Sequence, residues 1–212
     1  MTAVWGPLGW MTLHSVSTSY PENPSPTERQ LMNSWLDMFR DTITCPHCKD
    51  HFSTMLQNYR VRFPTMLNSR QELSMFAFRA HNTVNARLSK PVYKTLDECM
   101  TVLRKNTEAR SAAEYRIAYL NHITRHWMTL QDIAGIVALK KINEMRKIEM
   151  EYFGPRDTRF NVTLTDLGVV VPHEWMEGGS AQLPSPTASL RFTPGKPVNA
   201  GFRMVGGRIR LL

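Results

Sequence analysis

Helical periodicity, divided by prolines and helix-cap residues, is the sequence feature that most constrains how this chain can fold. Apolar side chains recur every three or four residues through most of positions 10–153, as they do when each segment buries one face of an α-helix. The prolines in "YPENPSP" and "SKP" cannot continue a helix, so they separate one segment from the next. The pattern predicts an all-α fold.

The first three helices follow from these prolines and caps. One helix runs from about Trp10 to "YPENPSP", and a second starts at Thr27, whose hydroxyl can cap the first turn. A third starts between Thr44 and Pro46, since proline near the first turn costs no hydrogen bond, and ends near Asn58. One face of the second helix would carry Leu31, Met32, Trp35, Met38 and Phe39.

A fourth helix and a shorter fifth complete a predicted bundle. Ser69 and Glu72 have the spacing of a capping box, and the helix that they start runs to "SKP". The fifth helix starts near Thr95. Residues 1–106 are therefore predicted to form a four-helix bundle with a short fifth helix.

Two further amphipathic helices are predicted within residues 107–153. "TLQD" from Thr129 caps the second of them, which reaches about Phe153. The apolar stripe of the first consists of Ala113, Ile117, Leu120, Ile123 and Trp127.

The composition changes after Phe153. Residues 154–212 contain eight of the eleven glycines and six of the thirteen prolines, and only "FNVTLTDLGVVV", from Phe160, has the composition of a strand. Such a segment cannot bury enough apolar surface to order itself. It is predicted to be an extended arm that either stays disordered or is ordered on a partner surface, and its isolated apolar residues favour the second.

Charge and hydropathy exclude several classes of protein. The net charge is +8, but residues 178–212 contain no acidic side chain, so the basic character belongs to the tail. No interleaved aromatics or recognition helix accompany it, and specific nucleic-acid binding is not expected. No apolar run approaches the roughly 18 residues of a membrane span. "MTAVWGPLGW" lacks the features of a signal peptide, which predicts a cytosol-like compartment.

Cys45 and Cys48 lie in "TCPHCKDHF", at the predicted start of the third helix. One interpretation is a reversible disulfide, because a helix N-terminus stabilises a thiolate and the spacing allows the two sulfurs to bond. Another is a zinc site formed by Cys45, Cys48, His51 and a distant histidine such as His81. A purely structural role is the third interpretation, and the local spacing leaves all three open.

Three segments taken together resemble one known family. "WGPLGWMTLH" (residues 5–14), "CPHCKDHF" (residues 45–52) and "HNTVNARLSKP" (residues 81–91) occur in the order and at about the spacing of the Erv/ALR family of FAD-linked sulfhydryl oxidases. The resemblance covers roughly residues 4–105. It is greatest to members encoded by large cytoplasmic DNA viruses, because the chain lacks a targeting signal and carries a long appended region.

The resemblance implies that the bundle binds FAD against the two cysteines. A substrate thiolate would attack Cys45, Cys48 would pass the electron pair to the flavin, and dioxygen would be reduced to hydrogen peroxide. No metal belongs to this predicted site. The implied cofactor contacts are Trp10, His14, Cys48, His51, His81, Asn82, Val84, Asn85, Leu88 and Lys90.

The chain departs from the family at two places. Many members join a cysteine three residues before the equivalent of His81 to another cysteine shortly after the "KP" pair. Phe78 occupies the first position, so that disulfide is absent and Cys99 is expected to be a buried free thiol. The arm contains no cysteine that could shuttle electrons, so substrate thiols would reach Cys45 directly.

The expected partners are dithiol protein substrates, dioxygen and a second copy of the chain. The copies would pair through their first helices, where Met11, Leu31, Met32 and Trp35 offer surplus apolar surface. Residues 154–212 would bind a capsid or another structural protein, and the alternative function is a structural protein that has inherited the oxidase fold. The expected location is the virion or the host cytoplasm, with the mitochondrial intermembrane space as the alternative.

Overall fold

A computed structural model describes residues 2–156, Phe160, and two short segments at residues 203–205 and 208–210, with side chains from residue 5 to residue 156 and at Phe160. The chain divides into two compact units, Met1–Ala181 and Gln182–Leu212. The described part of the first unit is helical apart from its connecting loops, which confirms the predicted all-α class. Its elements are α1 (Thr2–Ser19), α2 (Pro26–Thr42), α3 (Pro46–Arg62), α4 (Arg70–Arg87), α5 (Leu96–Asn106), α6 (Ala112–Met128), α7 (Ile133–Ile148) and a π-helical turn (Glu149–Phe153).

The described part of the second unit is a small hairpin that the sequence analysis did not predict. Strand β1 (Arg203–Val205) pairs antiparallel with β2 (Arg208–Arg210). The sequence between the two strands is Gly-Gly, a dipeptide that favours two-residue hairpin turns and was the available signal. The strand predicted from Phe160 to residue 171 lies outside the described residues, except for Phe160 itself.

Several helix boundaries agree with the sequence. Ser69 caps α4 and Thr95 caps α5, each by accepting a hydrogen bond from a backbone N–H in the first turn. Helix α3 starts at Pro46 as predicted but continues past Asn58 to Arg62. Helix α1 starts at Thr2, eight residues before the predicted start.

Two predicted caps are wrong. Helix α2 is capped by Ser25 and not by Thr27, because Pro26 takes the first helical position, where its missing N–H costs nothing. Helix α7 is capped by Asp132, and Thr129 instead ends α6. In both cases several adjacent residues had cap-forming side chains, and local composition could not choose between them.

Helices α6 and α7 share the main hydrophobic core with the first four helices. Helix α6 contacts α1, and α7 contacts α2. The rings of Trp35 and Phe39 on α2 stack at 5.3 Å, and Phe153 meets Trp35 edge-on at 6.0 Å. The residues that these helices bury in common include Leu13, Val16, Leu36, Phe52, Leu56, Phe76, Tyr119, Ile123, Ile142 and Met145.

This packing removes the reason given for a dimer. Met11, Met32 and Trp35 are all buried within a single chain. The apolar surface of these three residues is therefore not surplus, which contradicts the premise, and only Leu31 of the four is partly exposed. A homodimer remains a prediction without support from these side chains.

The buried face of α6 differs from the predicted stripe. Ile117 is 46% exposed, whereas Arg116 is 2% exposed. Arg116 makes two hydrogen bonds to the Glu149 carboxylate, at 2.7 and 2.9 Å, and a third to the Ser15 hydroxyl of α1. Leu120 and Ile123 of the predicted stripe are buried as expected, but a pattern of apolar residues could not predict the buried charge beside them.

A second, smaller core lies between α4 and α5. It contains Phe78 and Cys99, so apolar packing occupies the place where the resemblance would have suggested a disulfide. Phe160 from the beginning of the arm is buried in the same core, and Arg104 of α5 donates a hydrogen bond to its carbonyl oxygen. The first residues of the arm thus contact the bundle itself, which was not expected.

Among the helices that the structure describes, none combines the length and apolar content needed to cross a membrane.

Candidate active site

Cys45 and Cys48 form a disulfide at the N-terminus of α3. Their Cα atoms are 5.2 Å apart, and the Cys45 sulfur accepts a hydrogen bond from the Cys48 N–H at 3.3 Å. Cys45 is the N-cap residue, so its sulfur lies where unpaired backbone N–H groups and the positive end of the helix dipole favour a thiolate. Of the three interpretations left open by the sequence, this geometry fits a reversible disulfide best.

The two sulfurs have different surroundings. Cys48 packs against the main core, whereas Cys45 precedes two exposed residues, Pro46 and His47. Both cysteines are partly buried, so the difference between them is the contact of Cys48 with the core. The asymmetry agrees with an outer role for Cys45 and an inner role for Cys48.

His51 lies next to a histidine that the sequence analysis did not identify. The Nε2 atoms of His47 and His51 are 3.1 Å apart, and their rings meet edge to face with centroids 4.4 Å apart. The two residues are one helical turn apart on α3, which brings their side chains together. The implied contact between His51 and a cofactor stays a prediction.

Trp10 and His14 of α1 meet His81 of α4 in one cluster of rings. Trp10 and His81 stack with centroids 4.4 Å apart and planes only 10° from parallel. His14 Nε2 lies 3.0 Å from His81 Nδ1, and Tyr93 meets the His81 ring edge-on at 5.6 Å. The structure therefore brings together three residues that lie far apart in the sequence and were predicted to contact the cofactor.

Both imidazoles of this cluster are neutral at physiological pH. Burial, with the neighbouring charge of His81, holds the pKa of His14 well below its ordinary value. Burial likewise lowers the pKa of His81 to about 4, and the nearby Lys90 adds to this shift. One neutral ring must donate to the other in their hydrogen bond. The remaining His14 nitrogen, Nδ1, is buried and has no hydrogen-bond partner in the described part of the chain.

Asn82 holds the segment that follows α4. Its side-chain amide donates to the Tyr93 carbonyl oxygen at 2.8 Å, and its side-chain oxygen accepts from the Tyr93 N–H at 2.9 Å. The pair positions Tyr93 against His81, so Asn82 acts on the ring cluster through Tyr93. Tyr93 was missed because its contact depends on this long-range pairing and not on local spacing.

The other predicted contacts are more dispersed. Val84 packs against the main core, and buried Asn85 accepts a backbone hydrogen bond from Lys90 at 2.8 Å. Leu88, which ends α4, is 52% exposed, and Lys90 is exposed on the turn that follows. Their implied roles toward a cofactor stay predictions.

Cys99 is the second site residue that the sequence analysis missed. One ligand atom from each of His14, His81 and Cys99 lies within 4.8 Å of the others. Cys99 is fully buried, and this burial raises the pKa of its thiol to about 12. The sequence placed Cys99 correctly as a buried free thiol, but only the fold shows that it lies beside two histidines.

The low pKa of His81 predicts a loss of stability in acid. An unfolded histidine takes up a proton near pH 6.5, whereas folded His81 stays neutral down to about pH 4. Because the unfolded state binds more protons between these values, the free energy of unfolding should fall with pH, by about 2 kcal/mol near pH 5. Urea unfolding of the cofactor-free chain measures this fall, which should be smaller by that amount in His81→Gln. An equal fall in the variant would contradict the assignment.

Comparison with known proteins places the chain among named relatives. Residues 8–107 match the model of the Erv1 / Alr family. Protein 096R of Invertebrate iridescent virus 3, which is named as an FAD-linked sulfhydryl oxidase, is 36% identical over 88 residues, or 42% of this chain and 58% of the relative. The FAD-linked sulfhydryl oxidase ERV2 of Saccharomyces cerevisiae is 28% identical over 98 residues, or 46% of each chain.

The chain covers a larger share of a second viral relative. The FAD-linked sulfhydryl oxidase of African swine fever virus is 32% identical over 89 residues, which are 42% of this chain and 71% of the relative. By contrast, the chain spans only about half the length of the iridescent-virus and yeast proteins. The matched region contains the disulfide of α3 and the ring cluster, and by this similarity the chain belongs to the Erv1 / Alr family.

Proposed function

We propose that this chain is an FAD-dependent sulfhydryl oxidase, which joins two protein thiols into a disulfide and reduces dioxygen to hydrogen peroxide. The two thiols lose two electrons and two protons, and one dioxygen molecule gains them. The observation that carries the proposal is the Cys45–Cys48 disulfide at the N-terminus of α3, in a family whose named relatives are FAD-linked sulfhydryl oxidases. Neither the described residues nor the relatives' names favour the alternative of a purely structural protein.

The exchange of disulfides begins at the Cys45 sulfur. A substrate thiolate attacks the Cys45 sulfur, forms a mixed disulfide with it and releases Cys48 as a thiolate. A second substrate thiolate then displaces the Cys45 sulfur, which leaves as a thiolate beside the Cys48 N–H. The substrate leaves as a disulfide, and the chain retains two reduced cysteines.

The ring cluster fits a planar cofactor. Trp10 and His81 form a stacked aromatic surface, and the unpartnered His14 Nδ1 offers a buried hydrogen-bonding atom. Both imidazoles are neutral, so they can orient a ligand without adding charge. FAD bound there would accept the electron pair from the reduced cysteines and pass it to dioxygen. The protein's part is to hold the ring system and to keep water from it.

The proposed substrates are protein dithiols that reach Cys45 from solvent. The relatives are encoded by DNA viruses and by yeast, so we propose the virion or the host cytoplasm as the location, with the mitochondrial intermembrane space as the alternative. The proposal also includes a homodimer and a structural partner for residues 154–212, and each needs its own measurement. Sedimentation of the purified chain tests whether it forms a homodimer.

Binding of FAD tests the proposal at the ring cluster. Fluorescence titration of the flavin-free chain should give about one FAD per chain, and Trp10→Ala should weaken binding by about tenfold, the loss of one aromatic stacking contact. The matched control is Trp127→Phe, because Trp127 packs against the main core outside the ring cluster. A folded chain that binds no FAD would refute the proposal.

A further inference from the structure

His14, His81 and Cys99 form a buried cluster where α1, α4 and α5 meet. One ligand atom from each residue lies within 4.8 Å of the others. His14 and Cys99 are fully buried, and His81 is partly buried. The oxidase chemistry proposed above uses the two histidines but gives Cys99 no role.

The donor set of this cluster has a clear preference among metal ions. Two imidazole nitrogens and one sulfur, without a carboxylate, suit zinc and similar soft or borderline ions and do not suit magnesium or calcium. Zinc bonds of about 2.0–2.3 Å place neighbouring ligand atoms about 3.5 Å apart. Small rotations of the three side chains would therefore close the cluster around an ion, with a fourth position left for water.

His14 also has a nitrogen that is available to a ligand. His14 Nδ1 is buried and makes no hydrogen bond within the part of the chain that the structure describes. A buried polar atom that is left unpaired destabilises the fold, and a bound ligand would remove that cost. The His81 ring is already held in place by Trp10 on its face and Tyr93 at its edge.

We propose that the flavin-free chain binds one zinc-type divalent ion through His14, His81 and Cys99, and that this ion and FAD exclude each other. The ion replaces the proton of the Cys99 thiol, which leaves to solvent, and no electrons are transferred. The exclusion rests on the proposed function, because both ligands would need the same two imidazoles. The metal site itself does not depend on the proposed oxidase function. The sequence analysis expected no metal here, so this proposal departs from that expectation.

The proposed site has a consequence for assembly of the enzyme. A ligand that binds only the folded chain stabilises it. Zinc would therefore hold the flavin-free chain in a folded form that is inactive until FAD displaces the ion. Loading with FAD would then depend on the supply of free zinc.

Cobalt is the probe that tests the site, because a thiolate ligand gives Co²⁺ a charge-transfer band in the near ultraviolet. The full-length chain is freed of flavin and kept with Cys45 and Cys48 as a disulfide, so that these sulfurs cannot act as thiolate ligands. We expect one Co²⁺ per chain with this band, loss of the band in Cys99→Ser, and displacement of cobalt by zinc. His126→Ala is the matched control and should bind like the unaltered chain.

Other outcomes would overturn the site. A chain that binds no Co²⁺, or a band that persists in Cys99→Ser, would show that Cys99 is not a ligand. If Cys99→Ser fails to fold, the unfolding midpoint supplies a second measurement. Zinc should raise the midpoint of the unaltered chain but not that of His14→Ala, and an equal rise in both would count against the site.

Addition of FAD to the cobalt-loaded chain separates the two proposals. Release of about one Co²⁺ for each FAD bound is the expected result. Simultaneous binding of both ligands would overturn the exclusion. A chain that binds Co²⁺ through Cys99 but never binds FAD would refute the proposed oxidase function and leave the metal site standing.

Discussion

Replacement of Cys48 by serine is expected to reduce oxygen consumption with a dithiol substrate to the rate observed without protein. Cys48 is the sulfur on the core side of the disulfide, and serine can neither form that bond nor leave as a thiolate. Cys45→Ser should have the same effect, because the outer sulfur is the proposed point of attack. Both variants should retain bound FAD, since the ring cluster is unaltered.

The control for both cysteine variants is Gln57→Ala. Gln57 is exposed on the same helix and takes no part in the disulfide, so turnover should stay close to that of the unaltered chain. An oxygen electrode and the absorbance of bound flavin measure the two properties separately. Normal turnover in Cys48→Ser would show that another pair of thiols carries the electrons.

Replacement of Arg116 by leucine is expected to reduce the free energy of unfolding by about 3–5 kcal/mol. The change leaves the Glu149 carboxylate buried without its partner and removes the bond to Ser15. Because Ser15 follows His14 on α1, the same pair also ties α6 and the π-helical turn to the helix that carries two residues of the ring cluster.

A double variant separates the ion pair from simple loss of packing. Arg116→Leu with Glu149→Leu removes both charges, so it should be less destabilised than either single variant. Arg125→Leu, an exposed site on the same helix, should change stability by less than about 0.5 kcal/mol. Urea unfolding measures the four variants and the unaltered chain, and an Arg116→Leu or Glu149→Leu variant as stable as the unaltered chain would contradict the proposed role.

Local signals predicted the helices well and their caps less well. Ser69 and Thr95 were found because each precedes an apolar repeat and has an acidic residue three positions later. Ser25 was missed because the nearby Thr27 has the same chemistry and only the position of Pro26 separates them. The presence of a helix follows from a pattern of many residues, whereas its first residue depends on one or two cap residues.

Burial by distant segments could not be predicted from the sequence. Met32 and Trp35 were predicted to contact a second subunit. Nothing in the sequence of α2 shows that α7 and Phe153 cover these two side chains. The burial of Arg116 could not be predicted either, since its partner Glu149 is 33 residues away. Such contacts are determined by the packing of whole helices and leave no local signal.

The site residues that lie in the sequence motifs could be predicted. Those that reach the site only through tertiary packing could not. The disulfide and the meeting of Trp10, His14 and His81 agree with what the resemblance implied. Cys99 and Tyr93 join the cluster only because α5 and the segment before it fold back onto α4. Their contacts with His81 depend on tertiary packing, for which spacing gives no evidence.

Anaerobic reduction of bound FAD is the measurement that tests the central claim most directly. The FAD-loaded chain is mixed with a dithiol substrate without oxygen, and the flavin absorbance is followed. The proposed function predicts that the yellow colour is lost, and that air restores it with formation of about one hydrogen peroxide per flavin. In Cys48→Ser the colour should persist. An unaltered chain whose flavin stays oxidised, or a Cys48→Ser chain whose flavin is reduced equally fast, would contradict the claim that electrons pass from substrate thiols through this disulfide.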